Sequence, residues 1–274
     1  MYKAVIFYFS GTGNTWWVAD SIKKQLDLNN INADTVSIED IDAKKANWWI
    51  KTADLILFGW PVYGSDLPEP MKKFIDNLRV IEKGKHIHTF CTQMGFSGDG
   101  AWLYHKNFEK KGLIIDSAQH FIMPSNISIY RGIFGALRNE ERIAEIMEKC
   151  GKQIDRYISG LLMGKTRIRG RYSYPLGILM RAPYRLVYKK YQNLNGADKT
   201  KCNLCGICAN LCPVGNISME KYPKFAGKCA LCLRCYAFCP ESAITYKGKS
   251  YNTKTMGKPY SIHDKRFKST ITKS

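Results

Sequence analysis

The sequence lacks any long apolar segment. Hydrophobic residues make up 45% of the 274 residues, but no apolar run approaches the roughly 18 residues that a membrane-spanning helix requires. The first residues also lack the small-residue cleavage site of a secretory signal peptide. We therefore expect no transmembrane segment and a cytoplasmic location.

Acidic residues are also scarce, since 23 Asp and Glu face 42 Lys and Arg, for a formal net charge of +19. Residues 156–197 contain nine basic residues and no acidic one. From residue 246 to the end, eight basic residues accompany Asp264 alone. Such an imbalance predicts an anionic partner, which is a nucleic acid, a lipid headgroup or an acidic protein.

Cysteine is confined to one region, because eight of the ten cysteines lie between positions 202 and 239. They form two runs, CNLCGICANLCP and CALCLRCYAFCP, offset by 27 residues. Each run reads C-x2-C-x2-C-x3-C-P, the ligand pattern of bacterial ferredoxins with two clusters. Zinc is the alternative metal for C-x2-C pairs. Four cysteines followed by a proline, in each of two runs, favour iron–sulfur clusters instead.

The segment from 193 to about 248 resembles two-cluster ferredoxins, and that resemblance implies two [4Fe–4S] clusters. Three cysteines of one run bind a cluster, and the fourth cysteine binds the cluster of the other run. One set of ligands is then Cys202, Cys205, Cys208 and Cys239, and the other is Cys229, Cys232, Cys235 and Cys212. Cys91 and Cys150 are expected to be ordinary buried residues.

Residues 1–160 alternate between strand and helix signals, which predicts an α/β fold with a parallel sheet covered on both faces. The predicted strands are Lys3–Phe9, Asn32–Ile38, Asp54–Gly59, His86–Cys91 and Leu113–Met123. The predicted helices are Asn14–Leu28, Asp42–Lys51, Glu69–Leu78, Gly98–Lys111 and Asn139–Leu162.

The loop FSGTGNT, after the first predicted strand, is suited to bind a phosphate. It lacks the lysine of a P-loop, and Trp16 stands where a dinucleotide fingerprint needs its third glycine. What is present is a neutral set of donors at the start of a helix, where the helix dipole favours an anion. A simple strand–helix turn is the alternative. The donor residues are Ser10, Gly11, Thr12, Gly13, Asn14 and Thr15.

This loop resembles the phosphate loop of flavodoxins, a family with a five-stranded doubly wound sheet. The resemblance covers residues 1–160 and implies FMN, with its flat ring between two further loops. Trp60, Tyr63 and Phe96 are the aromatic candidates for stacking on that ring. The loops comprise Trp60, Pro61, Val62, Tyr63 and Gly64, and then Thr92, Gln93, Met94, Gly95, Phe96, Gly98 and Asp99. For Asp99, capping of the following helix is the first expectation.

The predicted organisation is a flavodoxin-like domain at 1–162, a basic linker at 163–192, a small α+β ferredoxin domain at 193–250 and a basic tail at 251–274. Over almost its full length the chain resembles flavodoxin–ferredoxin fusions of anaerobic bacteria and archaea. The resemblance predicts an electron-transfer protein that relays electrons between an external redox protein and FMN through two clusters.

Two alternatives stay open, a flavin-dependent reductase of a small organic substrate and an iron–sulfur redox sensor. No catalytic acid–base set is visible, so no catalytic residue is predicted. The basic segments favour acidic redox partners, namely a ferredoxin, a flavodoxin or a reductase. The sequence has no helix-turn-helix or RNA-binding signature, so nucleic acid is not expected. A homodimer is possible.

Overall fold

The computed structural model describes residues 2–82, 84–127, 129, 135–193, 195–250 and 267. The chain divides into two compact units. The first comprises residues 1–10, 14–123 and 144–184, and the second comprises residues 11–13, 124–143 and 185–274. Among the described residues, no helix has both the length and the apolar character needed to cross a membrane.

The first unit is built on a five-stranded sheet in the order β2-β1-β3-β4-β5, and each neighbouring pair is parallel. This confirms the predicted fold class. β1 and β3 are almost wholly buried because helices cover both faces of a doubly wound sheet. The strands are β1 (Lys3–Tyr8), β2 (Asn32–Ser37), β3 (Leu55–Pro61), β4 (Lys85–Gln93) and β5 (Leu113–Ile122).

Local signals explain where several helices begin. The Asp42 carboxylate accepts a hydrogen bond from the Lys45 amide and caps the second helix. Pro70 lies in the first turn of the third helix, where its missing N–H costs nothing. The helices are α1 (Asn14–Leu28), α2 (Ala43–Thr52), α3 (Glu69–Asn77), α4 (His105–Glu109), α5 (Glu140–Leu162) and α6 (Tyr174–Gln192).

The helix predicted at Gly98–Lys111 is wrong in its first half. Residues 98–104 form consecutive turns, in which the Trp102 amide donates to the Asp99 carbonyl (2.6 Å). Gly98 has a φ of +66°, a left-handed conformation that a helix cannot contain. The helix therefore begins only at His105.

The segment predicted as a linker, residues 163–192, is largely regular structure. Ile168 pairs in parallel with Ala118 of β5, and the Ala118 amide donates to the Arg167 carbonyl (3.0 Å). A short 3-10 turn at Arg171–Ser173 then leads into α6. We call residues 165–184 of the first unit the strap.

The second unit contains two small antiparallel sheets, as expected for a small ferredoxin domain. Its buried core contains Cys208, Ile217, Tyr236, Ile244 and Tyr246. Apart from Phe267, the predicted tail lies outside the described residues. The elements are β6 (Asn195–Ala197), β7 (Ile217–Met219), β8 (Pro223–Phe225), β9 (Ile244–Tyr246), β10 (Lys249–Ser250), α7 (Ile207–Asn210) and α8 (Arg234–Ala237).

Two buried histidines give the first unit a pH-dependent stability. Burial lowers the pKa of His88 to about 4 from 6.5, and burial with the charge of Arg169 lowers that of His120 to about 4. Both side chains must take up protons on unfolding at pH values between about 4 and 6.5. We therefore expect the free energy of unfolding to fall as the pH is lowered through this window, by up to about 1.4 kcal/mol per pH unit for each histidine.

Urea unfolding of anaerobically prepared protein at pH 5 and pH 7 checks this expectation. His88→Gln should lose part of the wild-type pH dependence, whereas His86→Gln, at an exposed position, should retain it. Equal pH dependence in wild type and His88→Gln would contradict the assignment.

Candidate functional site

The loop between β1 and α1 places small polar side chains at the amino terminus of a 15-residue helix. Ser10, Thr12 and Thr15 are 2%, 7% and 0% exposed. Gly13 has a φ of +114°, which a side-chain-bearing residue rarely adopts. The first turn of the helix carries no acidic residue. The loop therefore fits a phosphate bound by hydroxyl and backbone N–H groups.

The structure brings the three predicted loops to one edge of the sheet. They follow β1, β3 and β4, which are neighbours in a parallel sheet, so their carboxyl ends meet. A hydrogen bond between the hydroxyl groups of Thr15 and Thr92 (2.7 Å) ties the start of α1 to β4. This edge is where a doubly wound sheet binds its ligand, and the three loops fit the phosphate and the flat ring of FMN.

The three candidate aromatic residues differ in their surroundings. The Trp60 ring is fully buried, stacks on Phe108 at 6.3 Å and donates from Nε1 to the Gly100 carbonyl (3.0 Å). Trp60 therefore packs in the core, and its expected stacking on a bound ring does not agree with the structure. Phe96 is 57% exposed and Tyr63 is partly buried, so stacking on the ring stays a prediction for these two side chains.

Asp99 does not cap a helix, because no helix begins near it. Its carboxylate is fully buried and forms an ion pair with Arg181 of the strap. Arg181 also donates from Nε to the Ser65 carbonyl (3.1 Å). Burial raises the pKa of Asp99, and the charge of Arg181 opposes that rise. Asp99 Oδ2 has no hydrogen-bond partner within the described part of the chain.

The sequence reasoning missed Arg181 because it lies in the segment taken for a linker. One signal was available. The sequence GILMR places Gly177 four residues before Arg181, on the same side of α6. A Cβ at Gly177 would lie 1.9 Å from the Asp99 carboxylate, so the glycine allows α6 to lie directly against that loop.

In the second unit, the two cysteine runs adopt the same backbone path. Leu204 and Leu231 follow the first cysteine of each run by two residues, with φ of +64° and +56°. Gly206 and Leu233 follow the second cysteine directly, with φ of +72° and +61°. Left-handed leucines carry a strain of about 1–2 kcal/mol each. Because these conformations recur at matched positions, we infer that both loops have the same shape for the same reason, which is to bind a group with their cysteines.

Several sulfur atoms accept hydrogen bonds from the backbone. The Asn216 amide donates to Cys212 Sγ (3.1 Å), and the Ala243 amide donates to Cys239 Sγ (3.2 Å). Leu231 donates likewise to Cys229 Sγ (3.3 Å). All ten cysteines of the chain are free of disulfides. N–H donors to sulfur stabilise thiolates and tune cluster potentials.

The electrostatic coupling between the thiols divides them into two groups. The pKa of Cys208 is raised to about 11 by burial and, less strongly, by the charges of Cys239, Cys205 and Cys202. Burial raises the pKa of Cys235 as well, with Cys232, Cys229 and Cys212 as its strongest charged neighbours. Cys208 also raises the pKa of Cys235, after those three. The strongest neighbours are compatible with the crossed arrangement that the resemblance implies, which stays a prediction.

The two groups suit a multi-iron cluster. Within the described residues, no three His, Cys, Asp or Glu side chains converge closely enough to hold a single metal ion. The four thiolates of a [4Fe–4S] cluster bind four different iron atoms, so they need not converge on one point. The donor set of four thiolates in each group therefore fits the cluster.

Arg234 is a buried cation in the second cysteine run, which the sequence reasoning overlooked. It is 2% exposed, and its Nε and Nη1 donate to the carbonyls of Gly11 (3.0 Å) and Leu211 (3.4 Å). After the larger opposing effect of burial, its charge lowers the pKa of Cys232. A buried positive charge stabilises added negative charge nearby, including that of a reduced cluster.

We expect Arg234→Met to lower the reduction potential of only one cluster, the one bound by Cys229, Cys232, Cys235 and Cys212. The shift should be about 50–100 mV, since about 1.4 kcal/mol corresponds to 59 mV for one electron. An EPR-monitored redox titration measures both potentials. Lys228→Gln removes an exposed charge beside Cys229 and should have a smaller effect. Equal shifts of both clusters in Arg234→Met would contradict this role.

Two families of known domains match separate parts of the chain. Residues 5–121 match the flavodoxin domain family, and residues 197–218 match the 4Fe-4S binding domain family. A flavodoxin of Clostridium beijerinckii is 27% identical over 108 residues, covering 39% of this chain and 72% of its own. A flavodoxin of Megasphaera elsdenii is 29% identical over 124 residues, covering 44% of this chain and 88% of its own.

Solved flavodoxin structures resemble the first unit. A short-chain flavodoxin associated with a bacterial microcompartment has a TM-score of 0.44 at 19% identity, covering 61% of this chain and 100% of its own. The two-electron reduced flavodoxin of Megasphaera elsdenii has a TM-score of 0.38 at 23% identity, covering 54% of this chain and 98% of its own.

Proposed function

From a chain that joins a flavodoxin domain to a 4Fe–4S binding domain, we propose a protein that relays electrons between an external redox protein and FMN through two [4Fe–4S] clusters. A flavodoxin domain implies FMN, and a 4Fe–4S binding domain implies an iron–sulfur cluster. The flavin exchanges one or two electrons and each cluster exchanges one. The protein supplies position and electrostatics to these cofactors.

The observation that carries the proposal is the repeated four-cysteine run, in which both copies place left-handed residues at matched positions. Cys208 is coupled to Cys202, Cys205 and Cys239, and the leading neighbours of Cys235 are Cys232, Cys229 and Cys212. Two complete ligand sets support two clusters, although the matched 4Fe-4S family covers only residues 197–218. A pair of one-electron carriers in the same chain as a flavin domain is suited to gathering single electrons for a two-electron cofactor.

Anaerobic purification followed by a redox titration tests the proposal. Visible absorbance should show a bound flavin, and iron analysis should give about eight iron atoms per chain. EPR of the reduced protein should show two interacting clusters. A colourless protein, or one that contains zinc and no flavin, would overturn the proposal.

The proposed partner is an acidic redox protein, such as a ferredoxin, a flavodoxin or a reductase. The formal charge of +19 supports it, and so does a set of exposed lysines in the second unit. Opposite charge accelerates encounter at low ionic strength. The exposed lysines are Lys199, Lys201, Lys221, Lys224, Lys228, Lys247 and Lys249.

We expect reduction by an acidic ferredoxin to slow about tenfold or more between low salt and 0.5 M salt, because salt screens charge attraction. Stopped-flow absorbance measures the rate. A basic cytochrome serves as the control and should not slow in the same way. A rate with the acidic ferredoxin that does not fall with salt would count against this partner class.

The reductase and sensor alternatives, the homodimer and the cytoplasmic location remain predictions from the sequence. The redox titration separates the relay from the sensor, because a sensor does not need the flavin to exchange electrons with its clusters.

A further inference from the structure

Two adjoining cavities lie along the outer edge of β5, in the first unit. Their volumes are about 700 Å³ and 470 Å³. Both are lined by Ile122, Arg167 and Arg169. Arg171 also lines the larger cavity, whereas Arg156 and Lys165 line the smaller one. Five basic side chains therefore line the two cavities, which have the size of small-molecule sites. We call the two cavities together the cleft.

The backbone that carries the arginines is held in place. Ala118 of β5 donates to the Arg167 carbonyl (3.0 Å), and the Arg169 amide donates back to the Ala118 carbonyl (2.9 Å). Residues 167 and 169 flank the bridging Ile168, so their side chains point to the same side of the sheet edge. Gly170 has a φ of +90°, and a Cβ there would lie 2.7 Å from the Asp99 Cα. The strap backbone is thus fixed by Ala118 at residues 167 and 169, and by close packing against Asp99 at Gly170.

The positive charge of the cleft is not neutralised by the described part of the chain. Within that part, no acidic side chain forms an ion pair with Arg167, Arg169 or Arg171. Asp116 also lines the larger cavity, and its single negative charge offsets only one of the positive charges there. His120, another lining residue, has its pKa lowered by burial and by Arg169. Three arginines and one aspartate line the larger cavity, so the lining carries a net positive charge that favours a bound anion.

The rim of the larger cavity is aromatic. Phe96 is 57% exposed and Tyr172 is 94% exposed, and both line the cavity. Exposed aromatic faces stack well on flat organic groups and on guanidinium groups. Guanidinium groups match the oxygen geometry of phosphate with paired hydrogen bonds. The lining shares Gln93, Gly95, Phe96 and Gly98 with the loop assigned to the flavin ring. It includes no residue of the loops at 9–15 and 60–64, so the cleft differs from the proposed phosphate site of FMN.

We propose that the cleft bounded by Arg167, Arg169 and Arg171 is a second anion site, which binds a small molecule that carries a phosphate or diphosphate group. One wall of the cleft is Gln93–Gly98, the loop assigned to the flavin ring. A ligand in the cleft would therefore contact that loop. The proposal does not depend on electron transfer or on the number of clusters.

Calorimetric titration of the anaerobically prepared protein with inorganic pyrophosphate at low salt tests the proposal. Wild type should bind with a stoichiometry near one, and Arg167→Gln/Arg169→Gln should weaken binding at least about tenfold. The control Lys44→Gln/Lys45→Gln removes two exposed charges from α2 and should leave the affinity within about twofold. Flavin and iron contents identify any variant that fails to fold, and Arg171→Gln then provides a milder test.

A second arm distinguishes a free phosphate compound from a lipid headgroup. Sedimentation with phosphatidylglycerol vesicles, compared with phosphatidylcholine vesicles, should show no arginine-dependent binding if the ligand is a free molecule. Binding to phosphatidylglycerol that is lost in the arginine variant would assign the phosphate to a lipid. No pyrophosphate binding by wild type, or equal loss in both double variants, would overturn the proposal.

Discussion

Replacing Cys239 by serine is expected to remove one cluster completely and to leave the other. Iron should fall from about eight to about four atoms per chain. The reason is the crossed arrangement implied by the ligand pattern, and it is supported by the charge of Cys239, which raises the pKa of Cys208 in the other run. Cys212→Ser should lose the opposite cluster with the same iron count. Iron analysis and EPR of anaerobically prepared variants measure both results.

The identity of the surviving cluster tests whether the fourth cysteine of each run binds the cluster of the other run. In Cys239→Ser, the remaining cluster is the one near Arg234, so adding Arg234→Met should still lower its potential. In Cys212→Ser, the remaining cluster is the other one, and Arg234→Met should have little effect. If each serine variant instead retained the cluster of the opposite run, the ligand assignment would be wrong.

Two cysteines outside the runs provide matched controls. Cys91 is fully buried and Cys150 is nearly so, and burial raises the pKa of both thiols. Neither belongs to one of the two cysteine runs, so neither is expected to ligate iron. Cys91→Ser and Cys150→Ala should keep about eight iron atoms per chain. Iron loss in Cys91→Ser would show that a disturbed fold alone lowers the iron content. The iron counts of the Cys239→Ser and Cys212→Ser variants would then not identify ligands.

The sheet could be predicted because its signals are local. The apolar run that became β3 is buried over almost its full length, and α1 begins and ends where its periodicity indicated. Glycines and small polar residues at the junction of β1 and α1 marked the candidate phosphate loop. The cysteine runs were still more informative, since their spacing fixes which chemistry they can perform.

The strap could not be predicted because its signals are tertiary. Its helix carries Pro183 inside it, which local rules read as a break. Leu176 and Leu179 are 46% and 70% exposed, whereas Gly177 and Arg181 face inward, so the hydrophobic pattern is the reverse of an ordinary amphipathic helix. The inward-facing glycine and arginine are explained by their contact with Asp99. Asp99 is distant in the sequence, so no local pattern predicts that contact.

The other large effect that we expect follows from this contact. Arg181→Met should destabilise the first unit by about 3–5 kcal/mol, because it leaves the Asp99 carboxylate buried without its cation. Asp99 is fully buried and Arg181 is 3% exposed, so water cannot replace the lost partner. Methionine retains most of the side-chain volume, which separates the loss of charge from the loss of packing.

Urea unfolding followed by tryptophan fluorescence measures the change in free energy. Lys189→Met removes an exposed charge from the same helix and should change stability by less than about 0.5 kcal/mol. The double variant Asp99→Leu/Arg181→Met should recover most of the loss, because it removes both charges together. Equal stability of Arg181→Met and Lys189→Met would show that the ion pair does not hold the strap on the loop. Since Asp99 belongs to the loop assigned to the flavin ring, Arg181→Met should also weaken FMN binding, whereas Lys189→Met should not.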